Sequence, residues 1–188
     1  MRKIFFVIPV IILMLVGCSD SSGPTNENGL YKYSHIEEEN IEVYGEGGKV
    51  VSKSNWNSEM KNSFSQFESQ FKILKQMEFD INDSNIELHA NGQTQVMNYK
   101  MKNDTVFVIY NIFDEDTLGM NYAIKKDANS LVFYPYLVNY YDGEESELSQ
   151  GVDLGGYQQS IEEYHSQINK LSQNEFISFF LRKTYFKK

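Results

Sequence analysis

The chain of 188 residues carries 26 acidic against 17 basic side chains, a net charge of −9, which excludes a nucleic-acid binder because phosphate contacts need clustered Lys and Arg. Its single cysteine excludes an internal disulfide and a cysteine-built metal site. Stability must come from packing, for which 13 Tyr, 13 Phe and one Trp supply bulk and strand propensity.

Met1-Arg2-Lys3 makes a positive start, and Ile4 to Val16 is an apolar run interrupted only by Pro9. A bilayer core of ~30 Å takes about 20 apolar residues to cross, so residues 1–17 read as a cleavable leader and not a permanent span. Leu15-Val16-Gly17-Cys18, with polar Ser19-Asp20-Ser21-Ser22 directly after it, resembles the bacterial lipobox. The resemblance implies that Cys18 is acylated by thioether and becomes the mature N-terminus. It also implies a bacterial cell-envelope location, lipid-anchored to a membrane, the outer membrane first, with the periplasmic or surface face left open. Arg2 and Lys3 leave with the leader, so the mature chain has 15 basic against 26 acidic side chains, a net of −11. That balance argues against holding anionic lipid by charge, so acyl chains must anchor it, at about 0.8 kcal/mol per buried methylene.

Ser19 to Gly29 has no apolar residue and reads as a flexible tether, so residues 18–29 are the lipidated Cys and its linker and 30–188 form a single domain. Leu30–Ile36, Ile41–Tyr44 and Lys49–Ser52 are short extended pieces, separated by Glu37-Glu38-Glu39-Asn40 and Gly45-Glu46-Gly47-Gly48. The glycine run lacks the spacing of a phosphate loop and reads as a turn. Over 57–77, Met60, Phe64, Phe67, Phe71, Leu74 and Met77 recur at helical spacing, with Glu59, Lys61, Asn62, Glu68, Lys72 and Lys75 opposite, which predicts one long amphipathic helix.

From Phe79 the period becomes two. Ile86–Ala90 and Gln93–Met101 flank Asn91-Gly92, a strong hairpin signal because both positions tolerate positive φ. Thr105–Phe113, Thr117–Lys125 and Ser130–Tyr141 continue the meander. Asp142 to Ser160 reads as a long acidic loop. Residues 161–171 fit either a helix (Tyr157, Ile161, Tyr164, Ile168, Leu171) or a strand, and a final hairpin with Glu175–Phe186 is favoured because so apolar a last strand needs a partner. Arg182, Lys183, Lys187 and Lys188 form the one positive cluster and read as a solvated strand end.

These elements predict a mostly β fold: about eight antiparallel strands closing into an up-and-down barrel with the helix packed against it. The meander, the Asn91-Gly92 hairpin, and Ile168 to Ile177 leading into Lys183-Thr184-Tyr185-Phe186-Lys187 resemble the lipocalin-like lipoproteins of Bacteroidota over residues 79–188. The family implies a lipocalin-like barrel. Thr117, Gly119, Asn121 and Ala123 make a groove of small residues between two strands apolar on both faces, so the Phe64/Phe67/Phe71 face is expected to lie across it from outside.

The search for chemistry finds little. His35, His89 and His165 have no partners at metal spacing, and neither Asp114-Glu115-Asp116 nor Asp142-Gly143-Glu144-Glu145 matches a calcium loop. No nucleophile signature is present, so neither catalysis nor a cofactor is expected. The remaining candidate is the aromatic interior of Met97, Tyr99, Met101, Tyr110, Tyr122 and Phe133. These side chains could line a cavity for a small apolar or amphipathic ligand, or fill a small barrel completely. The first alternative is a non-catalytic binding protein, and the second a structural or protein-interaction module with an unknown partner.

Overall fold

The computed structural model describes residues 28–83, 85–102, 105–113, 116–127 and 129–188, with side chains left aside at 102, 107–113, 116–122 and 124–127. Cys18, the leader and most of the tether lie outside the described residues.

The strands are β1 Gly29–Gly45, β2 Lys49–Val50, β3 Glu78–Ile81, β4 Asn85–Ala90, β5 Gln93–Lys102, β6 Thr105–Phe113, β7 Asp116–Asp127, β8 Ser130–Phe133, β9 Tyr136–Tyr141, β10 Ser146–Gly151 and β11 Phe176–Lys187. The helices are α1 Ser58–Leu74 and α2 Leu154–His165. All strand pairings are antiparallel, in the order β10-β9-β11-β8-β7-β6-β5-β4-β3-β1-β2, and β11 also pairs with β1. The fold is thus mostly β, a sheet curled into a half-barrel of eight strands and drawn together along the β1–β11 seam.

Local sequence explains much of this. Asn91 and Gly92 both take positive φ, 51° and 72°, as a tight hairpin turn requires. Asn57 caps α1 by accepting from the Met60 amide at 2.9 Å. Between β8 and β9 stands Pro135, which has no N–H to give a ladder. The chain steps out there: the Pro135 carbonyl accepts the Arg182 amide at 3.0 Å, and the Tyr134 amide donates to Val152. As a result β11 carries β9 along its first half and β8 along its second.

Four expectations need correction. Glu37-Glu38-Glu39-Asn40 does not break the first strand. β1 runs through it, bulged at Tyr33/His35 and Ile36/Glu38, because β11 offers Arg182 and Lys183 opposite Glu39 and Glu38. The 142–160 segment is no loop: it holds the edge strand β10 and the start of α2, whose Asp153 side chain caps the Gly156 amide at 2.9 Å. Residues 161–171 finish α2 and form a 3-10 turn at Ile168–Lys170, so there is no terminal hairpin and no single long helix. β11 finds its partners in β1, β8 and β9 instead.

The fourth concerns the side on which α1 lies. Phe71 and Leu74 belong to one buried cluster with Tyr31, Phe79, Ile86, Val106, Ala123, Phe133 and Phe186, drawn from strands all around the sheet. A cluster fed from every side lies on the concave face, so α1 packs inside the curve and not across its outer wall. Its other end, Met60 and Phe67, joins Val43, Trp56, Leu137, Phe176 and Phe180 on the same face. α2 covers the opposite face of β9–β11 with Tyr157 and Tyr164 over Tyr136, Val138, Ile177 and Phe179. Thr117, Gly119 and Asn121 have side-chain surroundings outside the described residues, whereas Ala123 is buried in the concave cluster.

Two glycines are required by this packing. A Cβ on Gly156 would stand 2.5 Å from the Tyr136 hydroxyl, and one on Gly151 would stand 2.7 Å from the Tyr136 ring. Gly156→Ala should therefore cost about 1–3 kcal/mol by overpacking, and Tyr136→Phe in the same chain should return part of it. Urea denaturation of the single and double variants checks this; additive losses would show that Tyr136 is not the obstacle.

Candidate functional site

Alternation along β3, β4, β5, β8 and β11 turns one apolar row from each strand onto the concave face. There the rings of Phe79 and Phe133 stack at 4.8 Å, and Phe186 meets them edge-on at 5.1 and 4.9 Å. Phe133 and Phe186 are fully buried. Met97, Tyr99 and Met101 lie half-buried against the same cluster, where the Tyr99 hydroxyl donates to the Asn82 carbonyl at 3.1 Å. The side chains of Tyr110 and Tyr122 fall outside the described residues. So four of the six expected residues gather on one apolar wall, but its centre is occupied by their own rings and by Phe71 and Leu74 of α1. A cavity of about 70 Å³ lies elsewhere, beside the start of α2, lined by Ala123, Val132, Tyr134, Val152 and Leu154 among others. None of Met97, Tyr99, Met101 and Phe133 is among its described lining residues.

Arg182 differs most from its expected solvated position. Counting alternate residues back from Phe186 through Thr184 puts it on the concave face of β11, and it is only 6% exposed. Its Nε donates to Glu39 of β1 and its Nη2 to Glu68 of α1. The guanidinium sits 4.4 Å from the Phe71 ring centroid and 5.0 Å from that of Phe67. Burial by itself would lower its pKa, but the hydrogen bonds it donates to Glu68 and Glu39 outweigh that and hold it above the ordinary value. The group therefore ties α1 to the β1–β11 seam as a permanent cation. Nearby under α1, the Ser63 and Ser178 hydroxyls lie 3.1 Å apart, while the buried Asn139 Oδ1 has no hydrogen-bond partner among the described atoms.

The outer face of the seam is polar and aromatic. His35 stacks flat on Tyr185 with centroids 4.8 Å apart, and Glu37 accepts from the Tyr185 hydroxyl and pairs with Lys183. Further along, Asn40 donates to the Tyr157 hydroxyl oxygen at 3.1 Å and the Tyr44 hydroxyl donates to Glu42 at 2.8 Å. Burial pushes the Tyr157 hydroxyl above its usual pKa. His89 is partly exposed and hydrogen-bonds Thr94. No group of three or more His, Cys, Asp or Glu among the described residues is placed to hold a metal ion.

Period-two alternation brought Met97, Tyr99, Met101 and Phe133 to one wall. The Arg182 clamp was missed because it joins three elements far apart in sequence. Its one local signal is a lone guanidinium between Phe180 and Phe186, on a row whose other members, Phe176, Ser178, Phe180, Thr184 and Phe186, are uncharged and buried.

Comparison with protein-family models, with curated proteins and with solved structures finds no match to this chain.

Proposed function

We propose that this chain is a non-catalytic, membrane-anchored lipoprotein of the bacterial cell envelope, held by lipid on Cys18, whose lipocalin-like half-barrel acts as a solid interaction or structural module. The observation that carries this choice is the Phe79–Phe133–Phe186 stack, closed over by Phe71 and Leu74 of α1, in the place where a ligand would otherwise sit. Ligand pockets of drug-like size run to ~300–1,000 Å³; the cavity beside α2 holds about 70 Å³, and the larger hollow of about 320 Å³ beside the Asn91-Gly92 turn is open and polar, lined by Gln76, Glu78, His89 and Thr94 and away from the aromatic wall. With its interior occupied by its own side chains, such a module meets partners through its outer surface.

A second reading keeps a small apolar or amphipathic ligand against Met97, Tyr99 and Met101. Their partial exposure on the concave wall favours it. Native mass spectrometry of the untagged chain from Cys18 onward, which contains every described residue, separates the two. The solid module gives the bare chain mass, while a co-purifying small mass lost on Met97→Ser would overturn it in favour of the ligand.

A further inference from the structure

β10 is an outer strand of the sheet, and no strand among the described residues pairs with its far edge. The turn before it fixes which backbone groups that edge carries. The Asp142 amide donates to the Glu145 carbonyl at 3.1 Å, so along the unbroken register of β9 and β10 the bonded pairs are Tyr140 with Glu147, Val138 with Ser149 and Tyr136 with Gly151. The N–H and C=O groups of Ser146, Leu148 and Gln150 therefore point away from β9. Ser146 and Gln150 are exposed, and Leu148 is half-buried. On one side of the strand Glu147 and Ser149 face α2: the Ser149 and Ser160 hydroxyls lie 2.7 Å apart, and the Tyr164 hydroxyl donates to Glu147 at 3.4 Å. On the other side Leu148 joins the cluster under α1, and the Gln70 amide of α1 donates to Gln150.

The surroundings of this edge are acidic. Residues 129–169, which hold β9, β10, α2 and the turns between them, contain seven Asp and Glu and no Lys or Arg, with His165 at the exposed end of α2. Asp142, Glu144 and Glu145 lead into the edge, Glu147 stands on it, and Glu163 follows Ser160 by three positions on the same flank of α2. α1 adds Glu59 and the 40% exposed Ile73 on the flank of Gln70. Its lysines lie elsewhere: Lys61 and Lys72 are exposed on its outward side, and Lys53 over Phe64 and Lys75 over Tyr33 mark the flank toward β1. Lys49 of β2 is four strands away, about 19 Å, and the Ile168–Lys170 turn lies beside Gly48 on that same side. We infer that an extended, Lys- or Arg-bearing segment of a partner protein adds to the sheet along β10; this gives the interaction-module reading its class of partner and rests on that reading, not on the anchoring. A free strand edge is a template for a further strand. With period-two alternation the added strand sets basic side chains beside Glu147 and apolar ones beside Leu148 and Ile73. A second copy of this chain is a poor occupant, because pairing β10 with itself brings two acidic segments together.

The probe is a capped peptide of about eight residues alternating Lys and Val, added to the chain from Cys18 onward while backbone amides are followed by hydrogen exchange. At saturation, exchange at Ser146, Leu148 and Gln150 is expected to slow about tenfold or more, while Glu147, Ser149 and Gly151, already bonded to β9, change little. Attraction to an acidic surface alone cannot produce that alternation. Glu147→Lys/Glu163→Lys should weaken the peptide about tenfold, and a peptide alternating Glu and Val should not bind. Absence of saturable binding, binding that leaves the three amides unchanged, or equal affinity for the charge-reversed variant overturns the inference. Protection of the same amides without peptide, in a dimer that forms with rising concentration, overturns it in favour of a second copy. Native mass spectrometry tests the solid core separately, so a peptide that fails to bind leaves the module reading standing.

Discussion

Replacing Phe133 by alanine is expected to lower the unfolding free energy by about 3–5 kcal/mol, the range for removing a fully buried aromatic side chain from a packed core. Phe133 is fully buried, and its ring is stacked on Phe79 and touched edge-on by Phe186. The surrounding strands are tied on both sides, β8 to β7 and to β11, so the site has little freedom to collapse. Most of the lost volume should therefore remain as a dry apolar void. Urea denaturation should show a lower midpoint with an unchanged slope. The variant should then be stabilised by a benzene-sized probe that leaves the parent unmoved, as engineered apolar cavities are. A loss below about 1 kcal/mol would mean that the interior is not closed around this ring, and the solid-core reading would fail with it.

Arg182→Ala is expected to cost about 3 kcal/mol, toward the low end of what breaking a buried ion pair removes, because Glu39 and Glu68 are 40% and 43% exposed and can be rehydrated. Part of the loss is packing of the guanidinium over Phe67 and Phe71. Arg182→Met, which restores the bulk but not the charge, should recover about half. The pair Glu39→Gln/Glu68→Gln is expected to cost as much as the alanine variant, since it leaves the cation buried without counter-charge. Thermal or denaturant unfolding of the set decides this. If the glutamine pair is neutral, the guanidinium is held by packing and water and not by the two carboxylates.

Elements whose burial follows from their neighbours in sequence were legible in advance. α1 could be placed because Met60, Phe67, Phe71 and Leu74 return to one face whatever they pack against. The Asn91-Gly92 hairpin needed only two residues that accept positive φ. β10 escaped notice because an edge strand buries little: Leu148 is its one apolar side chain turned to the core, and the rest of Ser146–Gly151 looks like loop. α2 hid behind three glycines, of which Gly151 and Gly156 are there for the ring of Tyr136 from another strand.

The sequence by itself determined a mostly β chain with period-two strands, one strongly amphipathic helix and an apolar row containing Met97, Tyr99, Met101 and Phe133. All of these are periodicities that a residue shares with partners two to four positions away. Only the tertiary structure decided which side of the sheet α1 covers, that Glu37 to Asn40 stay in strand, and that Arg182 is buried. Each depends on β1, α1 and β11 meeting across more than a hundred residues, where the deciding quantities are a counter-charge and a packing volume that no local pattern carries.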